Sequence, residues 1–281
     1  MIRASSRRWN LVVVSDSFNV AGDTVTPGNN TYGTYVELLT TAEVTDDAYG
    51  IWLSISNNVV AGVARDTILK VGIDPAGGTS YVDTIVDLQC ACAGTLSASK
   101  NGWGGVRYWF PIRVVAGSSV AVAASINNAT VGTLLVYCRL FCRPSGPVIP
   151  RAGSFVRTFG STPASSCGTA ITPVAGSKSA YVQLGSAVAD NLWYWGLGNG
   201  YNNAVYVNNN PCFWDLAIGD ATTKRLVIID QMSLPSTSET LAFASHGAYG
   251  HAGSGDLIYA RAASTGAITS GWSATAYGVG G

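Results

Sequence analysis

The stretch GDTVTPGNNTYGTYVEL, from Gly22 to Leu38, occurs a second time without a gap as GTAITPVAGSKSAYVQL, from Gly168 to Leu184. The two copies are identical at Gly22/Gly168, Thr26/Thr172, Pro27/Pro173, Tyr35/Tyr181, Val36/Val182 and Leu38/Leu184. The variable middle of each copy is rich in glycine, asparagine and serine, which favour turns. We therefore interpret each copy as an entry turn and an early strand of one of two tandem units.

Alternation of apolar and polar residues predicts β-strands along the whole chain. Every second residue from Leu134 to Cys142 is apolar or a cysteine, and in TIVDLQCAC the pattern predicts one face shared by Val86, Leu88, Cys90 and Cys92. No segment has a helical stripe of useful length. The sequence therefore predicts an all-β protein of two tandem, duplicated β-sandwich domains that are jelly-roll-like.

The segment RPSGPVIPRAG, from Arg143 to Gly153, has three prolines and two glycines and is predicted to be the hinge between the two units. We predict an N-terminal basic arm at 1–16, a first sandwich at 17–145 and a second at 146–281. Beyond the opening match, DDAYGIW aligns with DNLWYW, which brings Trp52 onto Trp195, and LKVGID resembles WDLAIG.

The composition limits the classes of partner. Charged residues make up 11% of the chain and the formal net charge is zero, which argues against a dedicated nucleic-acid binder. No apolar stretch is long enough for a membrane helix or a secretory leader, so we expect no membrane insertion and synthesis in the cytoplasm. So few charges indicate a surface that is largely buried in an assembly, and we expect a homo-oligomer, with a trimer as its form.

Two segments of the first half follow longer motifs. ILKVGIDPAGG, from Ile68, resembles D-I-G-I-G-x-A-G, and FPIRVVAGSSVAVAAS, from Phe110, resembles P-x-x-I-P-A-G-x-x-I-A-x-R, which are motifs of uncharacterised, β-rich virion components of tailed phages. This chain departs from them at Lys70, where aspartate is usual, and at 121–123, where the arginine is missing. The resemblance implies a phage structural protein of the decoration or fibre- or tail-associated type, and it transfers no functional residue.

The cysteines allow three interpretations. A zinc site could combine Cys90 and Cys92 with Cys138 and Cys142, but the strand rise places the last two about 13 Å apart on one strand. Both pairs share predicted faces with valine and leucine, so we favour free thiols, then disulfides between adjacent strands, and zinc last. Cys167 and Cys212 complete the set of six.

Catalytic signatures are missing from the sequence. It has no G-x-S-x-G elbow, P-loop or HExxH motif. His246 and His251, with Asp256, could ligate a metal, but their glycine-rich surroundings favour a polar turn. We therefore expect no enzyme activity, no metal and no cofactor, although a glycan hydrolase stays a third possibility.

One segment has the chemistry of a ligand site. From Leu192 to Trp214 aromatic residues alternate with asparagines, a combination that suits stacking on sugar rings and hydrogen bonding to hydroxyls. The same pattern also suits core packing or a subunit contact, which we favour. The candidate contact residues are Trp193, Tyr194, Trp195, Tyr201, Asn202, Asn203, Tyr206 and Trp214.

The sequence thus predicts a non-enzymatic structural component of a bacteriophage virion, exposed on the particle as a capsid decoration or a tail- or fibre-associated protein. Its partners would be other virion proteins and copies of itself, bound through buried, weakly polar surface and edge strands. The alternative is a carbohydrate-binding adhesin that recognises host-surface glycans through its second domain.

Overall fold

The computed structural model describes residues 11–14, 22–58, 66–91, 106–127, 132–142, 151–161, 168–201, 210–233, 242–244, 247–268 and 272–281. All regular secondary structure within these residues is β-strand, as the alternating pattern predicts. The described part of the chain contains no helix that could cross a membrane.

The first half of the chain forms a sandwich of two sheets. Its strands are β1 (Leu11–Val14), β2 (Asp23–Val25), β3 (Gly28–Asn29), β4 (Val36–Leu39), β5 (Ala48–Asn58), β6 (Thr67–Asp74), β7 (Val82–Ala91), β8 (Val106–Phe110), β9 (Ser119–Ile126) and β10 (Thr133–Cys142). One sheet has the order β1-β10-β5-β8, with β2 also paired to β10, and the other has β3-β9-β6-β7, with β4 paired to β9.

The second half repeats this arrangement. Its strands are β11 (Phe155–Phe159), β12 (Thr169–Ile171), β13 (Val174–Ala175), β14 (Val182–Gln183), β15 (Leu192–Tyr201), β16 (Cys212–Gly219), β17 (Lys224–Ser233), β18 (Ala242–Ala244), β19 (Ala248–Ala252), β20 (Leu257–Ser264) and β21 (Trp272–Gly280). One sheet has the order β11-β21-β15-β18 with β12 on β21, and the other has β13-β20-β16-β17 with β14 on β20.

Each half is therefore a jelly roll. The first has the strand orders β2-β10-β5-β8 and β4-β9-β6-β7, and the second has the equivalent orders β12-β21-β15-β18 and β14-β20-β16-β17. Even the short parallel pairs are repeated, since β3 lies parallel to β9 and β13 lies parallel to β20. The prediction of two duplicated β-sandwiches is confirmed. The predicted boundary between 145 and 146 lies outside the described residues, and β1 lies within the range predicted as a basic arm.

The repeated sequence stretch holds the first strands against the edge of each sheet. A Cβ atom on Gly22 would lie 2.7 Å from the carbonyl oxygen of Val136, and one on Gly168 would lie 2.7 Å from that of Ala274. Val136 and Ala274 occupy the same place in their sandwiches, because β2 pairs with β10 as β12 pairs with β21. Both copies thus need glycine for the same close approach of two backbones.

Strand register fixes which residues of the two sandwiches correspond. Leu134 on β10 corresponds to Trp272 on β21, because both pair with the last residue of the equivalent short strand. Following the pairing to the next strand makes Ile51 the counterpart of Trp195. The alignment of Trp52 with Trp195 is therefore wrong by one residue, and the slip reverses the face, since Trp52 points outward and Trp195 points into the core.

The two cores are filled differently. Three fully buried indoles, those of Trp195, Trp214 and Trp272, fill the second sandwich, and the rings of the last two lie 5.6 Å apart. The first sandwich has aliphatic residues at the corresponding positions, Ile51, Leu69 and Leu134. Small residues balance the larger rings, since Ala274 and Ala276 stand where the first sandwich has Val136 and Cys138. These smaller residues make room for part of the added ring volume.

A bulge changes the predicted face of β7. Asp87 has a φ of 54° and lies between the paired residues Ile85 and Leu88, so it is an extra residue in the strand. Ile85, Leu88 and Cys90 face the core, while Val86 does not. The prediction that Val86 shares a face with Leu88 and Cys90 is therefore wrong, and Cys92 lies outside the described residues. Asp230, with a φ of 51°, is the matching bulge residue of β17.

Candidate functional site

The predicted aromatic and asparagine segment forms β15 and part of β16. Trp195 and Trp214 are fully buried in the core of the second sandwich, so neither offers an exposed ring face on which a sugar could stack. Tyr201 is the last residue of β15. Asn202, Asn203 and Tyr206 lie outside the described residues.

Trp193 and Tyr194 occupy a different place, at the boundary between the two sandwiches. Both belong to the buried cluster of the first sandwich, and the Tyr194 ring lies 5.6 Å from that of Trp109. Trp193 is enclosed between the Arg151 guanidinium, 4.1 Å from its ring centre, and the exposed ring of Tyr249 at 6.0 Å. Burial also raises the pKa of Tyr194 to about 12. These contacts make Trp193 and Tyr194 packing residues of the junction.

The junction is where the two sandwiches meet, and its centre is Tyr277 on the outer face of β21. Its ring contacts those of Tyr108 and Phe110 edge-on, at 5.4 and 5.9 Å. Its hydroxyl oxygen accepts a 2.8 Å hydrogen bond from the backbone amide of Gln89 on β7. The Thr158 hydroxyl of β11 donates to the Val86 carbonyl at 2.6 Å. Side chains of the second sandwich thus satisfy backbone groups along the edge strand of the first.

A cleft of about 700 Å³ opens on the first sandwich beside the repeated stretch. Its walls are the tilted rings of Tyr35 and Tyr81, whose centres lie 4.9 Å apart. The Glu37 carboxylate lies in the same cleft and accepts a 3.1 Å hydrogen bond from the Tyr81 hydroxyl. The sequence shows Tyr35 only as one of the residues that are identical in the two copies of the repeated stretch, and the fold brings it next to Tyr81.

A polar cluster lies on the outer face of the same sheet. The Lys70 ammonium lies 4.9 and 4.8 Å from the ring centres of Tyr32 and Tyr35, and it forms an ion pair with Asp83 at 3.1 Å. Tyr32 donates a 2.6 Å hydrogen bond to Asp87. Burial raises the pKa of Asp87 above its usual value, and the Tyr32 hydrogen bond offsets this only in part.

The corresponding cluster of the second sandwich has its charges rearranged. Asp215 stands in place of Lys70, and it accepts hydrogen bonds from Lys178 at 2.7 Å and from Arg261 at 2.8 Å. Burial alone would raise the pKa of Asp215, but these two cations and the Asp230 amide lower it below its usual value. The phage motifs have an aspartate at the position of Lys70 and an arginine at that of Ala123. The second half has Asp215 and Arg261 at the corresponding positions, and these two residues form an ion pair.

The described cysteine and histidine candidates do not come together in a binding site. Cys90, Cys138, Cys142 and Cys212 are buried, and burial raises the pKa of each thiol, that of Cys212 to about 12. Cys92, Cys167 and His246 are not among the described residues. His251 accepts a hydrogen bond from Arg225 through its backbone carbonyl. Within the described ranges, no group of three or more histidine, cysteine, aspartate or glutamate side chains could hold a metal ion.

Comparisons with known proteins leave the family open. No family model and no curated protein matches the chain. Its fold aligns with the tandem CBM22-1-CBM22-2 domain of Xyn10C from Paenibacillus barcinonensis, at 12% identity and a TM-score of 0.29, over 98% of this chain and 99% of that one. It also aligns with the infectious bursal disease virus Gt strain, at 9% identity and a TM-score of 0.24, over 99% and 73%. Similarities this low establish no shared function.

Proposed function

We propose that the protein is a non-enzymatic structural component of a bacteriophage virion, exposed on the particle and acting through packing of like modules. The observation that carries the proposal is the junction. One jelly roll buries the outer face of its sheet, including Tyr277 and Val279, against a second copy of the same jelly roll. A module that associates with its own duplicate in this way is suited to repetitive assembly.

The surface supports the same proposal. Large apolar side chains stay exposed at Val82, Val115, Val174, Leu226, Ile229, Met232 and Tyr249. With only 11% charged residues in the chain, such groups favour a buried location in an assembly over a solvated one. From the resemblance to tailed-phage motifs we infer the location of the protein, a virion that is built in the host cytoplasm. Its position there would be a capsid decoration or a tail- or fibre-associated protein.

The proposed role makes two measurable demands. The purified protein should form a homo-oligomer at micromolar concentration, for which we expect a trimer, and phage particles should contain the chain. Light scattering measures the first, and protein stoichiometry in purified particles measures the second. A stoichiometry close to that of the major capsid protein indicates decoration, and a few copies indicate a tail or fibre. A monodisperse monomer with no matching subunit in particles would refute the proposal.

A second candidate function, carbohydrate binding, rests on the cleft of the first sandwich. Tyr35 and Tyr81 offer ring faces, and Glu37, Thr34 and Thr79 offer oxygen atoms that can bind sugar hydroxyls. A glycan array tests this function with Tyr81→Ala as the variant and Tyr249→Ala, which changes an exposed tyrosine on the other sandwich, as the control. Binding lost only in Tyr81→Ala supports an adhesin. Absence of binding in the parent protein excludes it.

A further inference from the structure

The junction joins two different surfaces. The first sandwich contributes the edge strand β7, whose Val86 carbonyl and Gln89 amide bond to side chains of the second sandwich. The second sandwich contributes the outer face of β21, and Gln89 is completely buried beneath it. Since the chain is a duplication, each of these two surfaces has a counterpart on the other sandwich.

The counterpart of the closed edge is β17, which is open. Among the described strands β17 pairs with β16 alone, so it lies at the end of its sheet. Bulge register makes Ile229 the counterpart of Val86 and Met232 the counterpart of Gln89. Ile229 is 62% exposed and Met232 is 54% exposed. The positions that the junction covers in the first sandwich are thus exposed apolar residues in the second.

The counterpart of the closed face is the outer face of β10. Register places Leu135, Tyr137 and Arg139 where β21 has Ser273, Thr275 and Tyr277. The three residues of β21 are buried at the junction, whereas the three of β10 are only half-buried.

Arg139 shapes this open face. Its guanidinium lies 4.9 Å from the ring centre of Trp52 and 5.6 Å from that of Tyr137. The outer face of β10 is therefore aromatic and cationic, and the chain itself leaves it partly open to solvent.

The two open surfaces can also be joined by a hydrogen bond. At the junction the Tyr277 hydroxyl lies 3.4 Å from the Asp87 carbonyl oxygen. The counterpart of Tyr277 is Arg139, and that of Asp87 is Asp230, whose carboxylate is already paired with Lys178 at 2.7 Å. Docking of the open edge on the open face with the pairing of the junction would place the Arg139 guanidinium, which is a donor only, at the Asp230 carbonyl oxygen.

We propose that a second copy of this chain docks head to tail, its β10 outer face covering the β17 edge, so that the two surfaces corresponding to those of the internal junction meet between molecules. The inference deepens the proposed function and rests on it. Each copy uses one surface and offers the other, so the contact is heterologous and forms a ring if its rotation closes, as a trimer requires. Burial of the exposed isoleucine and methionine supplies the apolar part of the contact.

Two single-site variants separate the two surfaces. Ile229→Asp places a charge on the edge, and Leu135→Asp places one on the face. Each should raise the dissociation constant of the oligomer about 30-fold or more, since a charge is buried without a partner. Val174→Asp is the matched control for Ile229→Asp, because Val174 is also an exposed aliphatic residue on an edge strand, β13, at the other end of the same sheet. Thermal melts verify folding, and Met232→Asp and Arg139→Glu replace any variant that fails to fold.

Mixing the two variants gives the sharpest test. Ile229→Asp retains an intact face and Leu135→Asp retains an intact edge, so an equimolar mixture should form a dimer of twice 29.1 kDa that grows no further. Light scattering should find each variant monomeric alone. An oligomer that both variants leave intact overturns the assigned surfaces but not the proposed function. A wild-type monomer overturns both, and variants that dissociate but do not combine overturn the head-to-tail geometry.

Discussion

Replacing Tyr277 with phenylalanine tests whether the junction holds the two sandwiches together. The substitution keeps the ring that packs against Tyr108 and Phe110 and removes only the hydroxyl. That hydroxyl is fully buried and accepts the 2.8 Å hydrogen bond from the Gln89 amide. Without the hydroxyl, the Gln89 amide has lost its acceptor at an interface that excludes water, whereas in the unfolded chain this amide would hydrogen-bond to water.

The expected cost follows from this loss. A buried donor without its acceptor destabilises a protein by about 1–3 kcal/mol. Exchange of the Gln89 amide hydrogen through opening of the junction should become about 5- to 150-fold faster.

Hydrogen exchange followed by mass spectrometry measures this effect at β7, and guanidinium unfolding measures the overall loss of stability. Tyr249→Phe is the control, because the Tyr249 side chain is 74% exposed and its hydroxyl should contribute less than about 0.5 kcal/mol. If Tyr277→Phe leaves both the exchange of Gln89 and the unfolding midpoint unchanged, the hydroxyl has no role in joining the sandwiches.

Four further predictions concern the interior. Asp215→Asn should cost about 1.5–3 kcal/mol near neutral pH in urea unfolding, since it weakens hydrogen bonds to two cations. Because the pKa of Asp215 is lowered, this difference in stability should disappear as acid protonates the wild-type carboxylate. Asp87→Asn should be neutral or stabilising above about pH 4, because burial raises the pKa of Asp87. A large loss of stability in Asp87→Asn would contradict the raised pKa. Gly22→Ala should cost over about 1 kcal/mol more in thermal melts than Gly117→Ala, which also has a positive φ but no close neighbour, and equal costs would exclude the backbone contact. Trp214→Ala should cost about 3–5 kcal/mol by calorimetry, and a small loss would show that its core site collapses around the gap.

The repeated stretch contained most of the information about the fold. Glycine, the Thr-Pro pair and the Tyr-Val-x-Leu pattern recur because both sandwiches need the same backbone approach and the same short strands. The alternation in β10 also identified its buried face correctly, as Leu134, Val136 and Leu140 face the core. These features are local, and local patterns of this kind can be recognised from sequence.

Other features depend on contacts distant in sequence. The bulge at Asp87 reversed a predicted face, and no residue type near it announces an extra position in the strand. The sequence favoured core packing or a subunit contact for Trp195 and Trp214 but left a ligand site open, and only the small residues on β21 show how the core makes room for them. The cleft between Tyr35 and Tyr81 joins residues from different strands. Such arrangements require the register of the sheets, which the sequence alone does not supply.

Glycines on the outer face of β15 limit the symmetry of any ring that this chain can build. At the junction a Cβ on Gly198 would lie 3.1 Å from the Gln89 side chain, so the two sandwiches approach closely there. The corresponding face of the first sandwich has Ser54 at this position and Trp52 in place of Gly196, and these side chains would hold a docked copy farther away. The lobes of a ring would therefore alternate between near and far neighbours. Averaged particle images would then have one rotational repeat per chain rather than one per sandwich.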